Sequence, residues 1–191
     1  MQLDRAGRGG FSMMELMVVI VMLGIMASMA ISRINVTKLK VNSEARNMAS
    51  TLTYAQRLAI SLQSDVRVAF DVPNNRITIL EDRNNNGIAD AGERARVIAL
   101  ESGVIFGRAS APAIPAIGGG PVSFTRTLGG LPAAIFHRDG SSAEAGGFYL
   151  TSARSVAASL MLESRAIDIT RATSRVTRYS YASNTAWKTE N

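Results

Sequence analysis

Hydrophobic residues form one long stretch near the start of the chain. From Phe11 to Ile31 the sequence is apolar apart from Glu15 and a few small residues. A helix of about 20 apolar residues is long enough to cross a bilayer, so this stretch predicts a transmembrane helix. Arg5 and Arg8 precede it, and positively charged flanks stay in the cytoplasm. We therefore expect residues 1–10 in the cytoplasm and everything after Arg33 across the membrane.

The next segment, Ser32–Gln63, has the period of an amphipathic helix and contains no proline or glycine. Glu44, Arg46 and Arg57 lie mostly off its apolar face. Joined to the first stretch, it would make one helix from Phe11 to Gln63, about 80 Å long at 1.5 Å per residue; a separate short helix is the alternative. Apolar or small residues recur at steps of three, four and seven, which marks one helix face: Ile34, Val41, Ala45, Met48, Leu52, Ala55, Ala59 and Leu62.

Beyond Ser64 the pattern changes to short apolar or alternating runs separated by turn residues, which predicts strands. The predicted fold class is α+β, with a long N-terminal helix (transmembrane, then amphipathic) packed on a mostly antiparallel β-sheet head over residues 64–191. The predicted strands are Val66–Phe70, Arg76–Leu80, Arg96–Leu100, Val104–Phe106, Pro121–Thr125, Ala134–Arg138, Phe148–Thr151, Ala158–Glu163, Ala166–Thr170 and Arg175–Tyr181.

Composition narrows the function classes. The 191 residues are enough for one compact domain with an accessory segment. There is no cysteine, so disulfides, a thiolate nucleophile and cysteine-based metal sites are excluded. The formal net charge of +6 makes an anionic partner, such as nucleic acid or lipid headgroups, worth considering.

Glu15 breaks the apolar pattern. A carboxylate in a membrane segment costs a few kcal/mol and is usually paired and functional; the alternative is that it lies near enough to the interface to reach headgroups and water. A second alternative makes the whole stretch a cleaved signal peptide, with Ser28-Met29-Ala30 as the cut site. Glu15 and the helical pattern that continues past this site argue against a signal peptide.

The residues from Gly9 to Leu16, GGFSMMEL, resemble the cleavage motif of type IV prepilins and type II secretion pseudopilins. The resemblance implies that prepilin peptidase cuts between Gly10 and Phe11 and methylates Phe11, which makes residues 1–10 a leader. Glu15 would then be the fifth mature residue, where the family keeps a glutamate for assembly. The implied partners are this peptidase, the inner membrane and other pilins or pseudopilins in a filament.

A strand ending in His137-Arg138, an Asp139-Gly140-Ser141 turn and a glycine-led strand from Gly146 resemble the head of the GspH/FimT group of minor pilins and pseudopilins. The resemblance implies a minor pseudopilin near the tip of a type II secretion pseudopilus, with its head in the periplasm. The alternative is a FimT/FimU-like minor pilin that primes type IV pilus assembly and binds DNA for uptake.

The segment from Asp82 to Glu93 fits the spacing of an EF-hand calcium loop, with Gly87 at the sharp turn. Calcium takes six to eight oxygen ligands, and this spacing supplies them from one short segment. A solvated hairpin loop rich in Asn and Gly is the alternative. The candidate calcium ligands are Asp82, Asn84, Asn86, Ile88 through its carbonyl, Asp90 and Glu93.

The C-terminal part is basic and could contact DNA phosphates, although contacts to acidic neighbouring subunits or plain solvation explain it better. No catalytic motif is present: His137, the single histidine, lacks a partner recognisable from the sequence, and there is no nucleophile elbow or phosphate-binding loop. We therefore expect no enzyme. The candidate DNA contacts are Arg165, Arg171, Arg175, Arg178 and Lys188.

Overall fold

The computed structural model describes residues 10–31, 36–182 and 186–190, and the chain divides into two units between Val36 and Thr37. The first unit contains helix α1, Met13–Ile31. Its large apolar side chains up to Met26 are exposed. Residues 1–9 of the predicted leader (residues 1–10) and residues 32–35, where the two predicted helical segments would join, lie outside the described residues.

In the parts of the chain that the structure describes, no helix combines the length and the apolarity needed to cross a membrane.

The second unit contains nearly all of a long helix followed by short strands. The helix, α2, spans Val36–Leu62. The described strands and the next helix are β1 Asp65–Asp71, β2 Arg76–Asp82, β3 Ala95–Ala99, β4 Val104–Phe106, β5 Thr127–Leu128, β6 Leu131–Phe136, β7 Gly146–Ser152, α3 Ala153–Ala157, β8 Arg165–Ile169, β9 Val176–Tyr181 and β10 Trp187–Glu190.

The described strands form two antiparallel sheets. Sheet A has the order β3-β2-β1-β6-β5, and sheet B has the order β10-β9-β8-β7-β4. The β1–β2 hairpin pairs Asp71 with Arg76 next to its turn, and the Arg76 Nε donates to Asp71 Oδ2 at 2.7 Å. The predicted antiparallel α+β arrangement is confirmed.

The core lies between one face of α2 and both sheets. Six α2 residues of the predicted apolar face are buried in it, and they meet side chains from β1, β2, β7 and β8. The ring centroid of Phe70 in β1 lies 4.9 Å from that of Phe148 in β7, with the rings tilted by 46°, and this contact joins the two sheets directly. The buried α2 residues are Val41, Ala45, Met48, Leu52, Ala55 and Ala59.

Strand β7 is buried along its whole length because its two faces are covered by different parts of the chain. Phe148 and Leu150 face the main core, while Tyr149 packs with Ile117 on the other side. The Tyr149 hydroxyl accepts from the Ile114 N–H at 2.8 Å and donates to the Gly118 carbonyl at 2.9 Å. These bonds fix the proline- and glycine-rich loop against sheet B.

Two predicted strands are wrong. Residues 158–163 do not form a strand, since α3 ends at Ala157 and a short 3₁₀ turn covers Met161–Glu163. The buried Glu163 carboxylate accepts hydrogen bonds from the Ser152 and Ser155 hydroxyls, which favours a compact connection. Pro121–Thr125 is also not a strand, because it contributes only a single bridge, from Val122 to Phe148.

One charged residue of α2 differs from the prediction. Glu44 was expected off the apolar face, yet its side chain is only 6% exposed. Burial raises the pKa of the Glu44 carboxyl, although hydrogen bonds from Asn47 and from the Glu101 backbone act in the opposite direction.

Candidate functional site

The predicted processing residues lie together at the N-terminal end of α1. Gly10, Phe11 and Ser12 precede the helix. The Ser12 hydroxyl accepts from the Met14 N–H at 3.2 Å and the Ser12 carbonyl accepts from the Leu16 N–H at 3.1 Å, which starts the helix. Glu15 is exposed in the first turn, where the helix dipole favours a negative charge.

The loop from Asp82 to Glu93 is organised around two carboxylates. The buried Asp82 accepts from Arg67 Nε at 2.6 Å, from the Asn86 N–H at 3.0 Å and from the Gly87 N–H at 2.9 Å. Gly87 has a φ of 79°, which favours glycine. Arg67 was missed by sequence reasoning, although its place between buried Val66 and Val68 in β1 puts it on the opposite face of that strand.

The second carboxylate, that of Asp90, accepts hydrogen bonds from two amide side chains. Asp90 Oδ2 accepts from Asn84 Nδ2 at 2.8 Å and from Asn86 Nδ2 at 2.5 Å. These hydrogen bonds, that from Asn84 first, lower the pKa of the Asp90 carboxyl. Glu93 closes the loop by accepting from the Arg83 N–H at 2.9 Å and from the Asp90 N–H at 3.2 Å.

This geometry brings Asn84, Asn86 and Asp90 together, while Asp82 is engaged by Arg67. Within the described residues, no group of three or more His, Asp or Glu side chains is placed to hold a metal ion. Calcium binding by this loop, with Ile88 supplying a carbonyl, stays a prediction. Calorimetric titration of the full chain with CaCl₂ tests it: heat of binding together with a higher Tm is expected, and the absence of both would exclude it.

The predicted basic stretch does not form one surface. Arg165 is only 2% exposed; its guanidinium donates to Asn42 Oδ1 at 2.5 Å and to the carbonyls of Leu162 and Ser164. Burial lowers its pKa, against the charges of Glu190 and Glu163. Arg165 is therefore unable to reach a phosphate. The other predicted DNA contacts are accessible: Arg171, Arg175 and Lys188 are exposed and Arg178 is half-buried.

A polar cavity of about 690 Å³ lies beside sheet A and is lined by Arg67, Arg126, Arg171 and His137, among others. His137 Nδ1 lies 2.9 Å from Asp65 Oδ1, so the histidine has a carboxylate partner that its sequence neighbours did not reveal. The structure thus places Arg171 with His137 in this cavity, whereas Arg178 lines a different one.

Two family models match the sequence: type II transport protein GspH over residues 44–173 and the prokaryotic N-terminal methylation motif over residues 5–31. Two solved structures of the minor pseudopilin EpsH from the type II secretion system of Vibrio cholerae are similar. One is 14% identical, with a TM-score of 0.41, covering 79% of this chain and 96% of EpsH. The other is 15% identical, with a TM-score of 0.37, covering 80% and 94%. No curated protein sequence matches.

Proposed function

The chain belongs to the family of type II transport protein GspH, whose model spans most of it, and we propose that it works as a minor pseudopilin of a type II secretion system. The single observation that carries this function is the order of the two family matches: the methylation motif ends at Ile31, and the GspH match begins at Glu44 in α2. The family consists of structural subunits that assemble with others into a periplasmic pseudopilus.

Processing by prepilin peptidase follows from the methylation motif, and we propose that the cut falls between Gly10 and Phe11. Gly10 precedes α1, and a methyl group added there would meet nothing within 4 Å. The local structure therefore does not require glycine at this position, which is consistent with a requirement imposed by the peptidase. The new amine of Phe11 would be methylated.

Glu15 is the proposed assembly residue. It is exposed in the first turn of α1, one turn from Phe11. In a low-dielectric filament core, the positive amine of one subunit and the Glu15 carboxylate of its neighbour would attract more strongly than in water, which offsets part of their desolvation. The pair would also fix the axial register between subunits.

The exposed apolar side chains of α1 support the proposal that Phe11–Ile31 holds the unassembled subunit in the inner membrane. The head, residues 64–191, would then lie in the periplasm. On assembly, the same apolar surface would enter the filament core, where other α1 helices replace the lipid.

Mass spectrometry of the mature protein tests the processing step. A chain that starts at N-methylated Phe11 is expected. A start near Ile31 would instead indicate a signal peptide and would overturn the proposal.

Two variants of Glu15 test the assembly step. Glu15→Gln keeps the shape and removes the charge, so we expect normal cleavage but loss of incorporation into pseudopili and of secretion. Glu15→Asp keeps the charge and is the matched control, with partial incorporation expected. Normal incorporation of Glu15→Gln would contradict charge pairing.

The alternative, a FimT/FimU-like minor pilin that takes up DNA, is not favoured. The matching family is that of a type II transport protein, and one of the five predicted DNA contacts, Arg165, is buried.

A further inference from the structure

A groove runs along the outer side of α2, where the helix meets strand β9. We call it the arginine groove. Its volume is about 550 Å³, and its charged and aromatic lining consists of Arg46, Tyr54 and Arg57 from α2 and Arg178 from β9. Arg46, Tyr54 and Arg57 are eight and three residues apart, which keeps them on neighbouring sides of the helix, away from its buried face.

Among the described residues, the three guanidinium groups of this groove have no carboxylate within ion-pair distance. Within the described residues, none of them takes part in an ion pair or a side-chain hydrogen bond. The nearest carboxylate in the strand register is that of Glu190, opposite Arg178, and its Oε1 lies 4.0 Å from Arg165. The three like charges outnumber the single carboxylate opposite Arg178 and repel one another, so an anionic occupant would relieve this repulsion.

Tyr54 extends the basic surface to the other side of α2. Its side chain is 51% exposed and lines both the arginine groove and a cavity of about 330 Å³ that contains Arg96 of β3. An exposed tyrosine offers a flat apolar ring and a hydroxyl that can donate to a carboxylate.

We propose that the arginine groove is a docking site for an acidic segment of a different subunit in the same filament. Guanidinium groups bind carboxylates through paired N–H donors, and Tyr54 would pack on the aliphatic part of the segment. Arg46 and Arg57 are separated by roughly 16 Å along the helix at 1.5 Å per residue, a length that three turns of a partner helix match.

The charge of the chain and the aromatic content of the groove favour an acidic protein segment over the two other candidate ligands. A second copy of the chain is disfavoured because the chain has a formal net charge of +6 and stays positive after the proposed removal of residues 1–10, which contain Asp4, Arg5 and Arg8. Single-stranded nucleic acid is disfavoured because proteins that bind it stack successive bases on several aromatic side chains, whereas Tyr54 is the one aromatic residue in the groove lining. The identification of the partner as a pseudopilin rests on the proposed function. The preference of the groove for carboxylates does not depend on that function.

A binding assay on the full chain in detergent tests the carboxylate preference with fluorescent hexaglutamate as the probe. The groove variant is Arg46→Gln, Arg57→Gln and Arg178→Gln combined. The control combines Arg94→Gln, Arg138→Gln and Arg154→Gln, three exposed arginines, and has the same net charge. We expect the Kd to rise about tenfold or more in the groove variant, from three partly exposed ion pairs, and less than about twofold in the control.

Three outcomes would overturn the proposal. One is an equal loss of affinity in both variants, which means attraction by net charge alone. Another is an unchanged Kd in the groove variant while circular dichroism shows that it is folded. The third is an oligothymidylate that binds the wild-type groove more tightly than hexaglutamate at equal salt, which would make nucleic acid the ligand.

A photoreactive residue at Ser50, which is exposed in the groove, tests the partner in cells, with exposed Ser61 at the end of α2 as the control position. Cross-linking from Ser50, but not Ser61, to an acidic pseudopilin is expected; cross-links only between copies would overturn the assignment. If hexaglutamate binding is lost in the groove variant but deletion of the gene leaves secretion intact, the carboxylate preference of the groove is supported and the proposed function is excluded.

Discussion

The two long helices share a secondary structure and differ in what their surfaces contact. Helix α1 has large apolar side chains on all sides, and those up to Met26 are exposed, with Val19 48% and Leu23 60% exposed. Helix α2 has one apolar face, and that face is buried against both sheets; Met48 and Leu52 are 0% and 1% exposed.

The difference shows that the spacing of apolar residues along each helix decides what its surface can contact. A helix that is apolar all round has no preferred side, so it suits lipid or a surrounding set of similar helices. A helix with a single apolar stripe docks in one orientation, and its outer side stays free for polar contacts. In this protein, α2 packs on the head, and its outer side carries the arginine groove.

The largest expected effect is on the free energy of unfolding, measured after the same Leu→Ala substitution in each of the two helices. Leu52→Ala removes a buried side chain from the main core, so we expect the free energy of unfolding of the head to fall by about 3 kcal/mol. Leu23→Ala in α1 is the matched control and should change it by less than about 0.5 kcal/mol. Urea unfolding of the full chain in detergent, followed by Trp187 fluorescence, measures both. Equal losses would contradict the comparison.

A smaller effect is expected where α2 meets strand β8. Asn42→Ala removes the acceptor that lies 2.5 Å from the buried Arg165 Nε, and leaving a buried donor unpaired costs about 2 kcal/mol. Ser43→Ala, at the exposed neighbouring position, should stay within about 0.5 kcal/mol of the wild type. The same unfolding measurement applies. A stable Asn42→Ala protein would mean that Arg165 finds a replacement acceptor.

The smallest expected effect is a gain in stability that depends on pH. Burial raises the pKa of Glu44, so its protonated form is the one that folding favours, and its contribution to stability is lost as pH rises through the folded pKa. Glu44→Gln should therefore stabilise the head at pH 8 by about 1 kcal/mol, with the gain vanishing towards pH 4. Unfolding at pH 4, 6 and 8 measures this gain. A gain that is constant with pH would exclude ionisation as its cause.

Local pattern was sufficient for most of the fold. The alternation in β1 and β2 predicted strands that the structure contains within a residue or two. The apolar face of the second helix was predicted as well, and α2 ends at Leu62, one residue from the predicted end at Gln63. The local pattern gave a wrong prediction between β7 and β8, where the structure has α3 and a 3₁₀ turn and the predicted strand is absent. There the conformation is stabilised by Glu163 bonding to Ser152 and Ser155, a contact between residues eight and eleven positions apart that has no local signature.

The candidate sites also differ in whether the sequence alone could identify them. Gly10, Phe11 and Glu15 form a contiguous motif, so spacing alone identifies them. The arginine groove was not predicted, although the spacing of Arg46, Tyr54 and Arg57 was visible in the sequence, because Arg178 joins them only when β9 packs beside α2. Charge is visible in a sequence, but burial is not: Arg165 and Arg178 look alike there, and the structure separates them.

The sequence by itself determined the apolar character of Phe11–Ile31, the amphipathic period of α2, the sheet-rich head and the processing motif, because each depends on residue types at short spacing. Only the tertiary structure decided which charges are paired. It set Arg67 against Asp82 and Arg165 against Asn42, and it brought Arg46, Arg57 and Arg178 to one groove without an ion pair among the described residues. These relations depend on segments brought together by folding over as many as 132 positions in the chain, from Arg46 to Arg178, which short spacing does not encode.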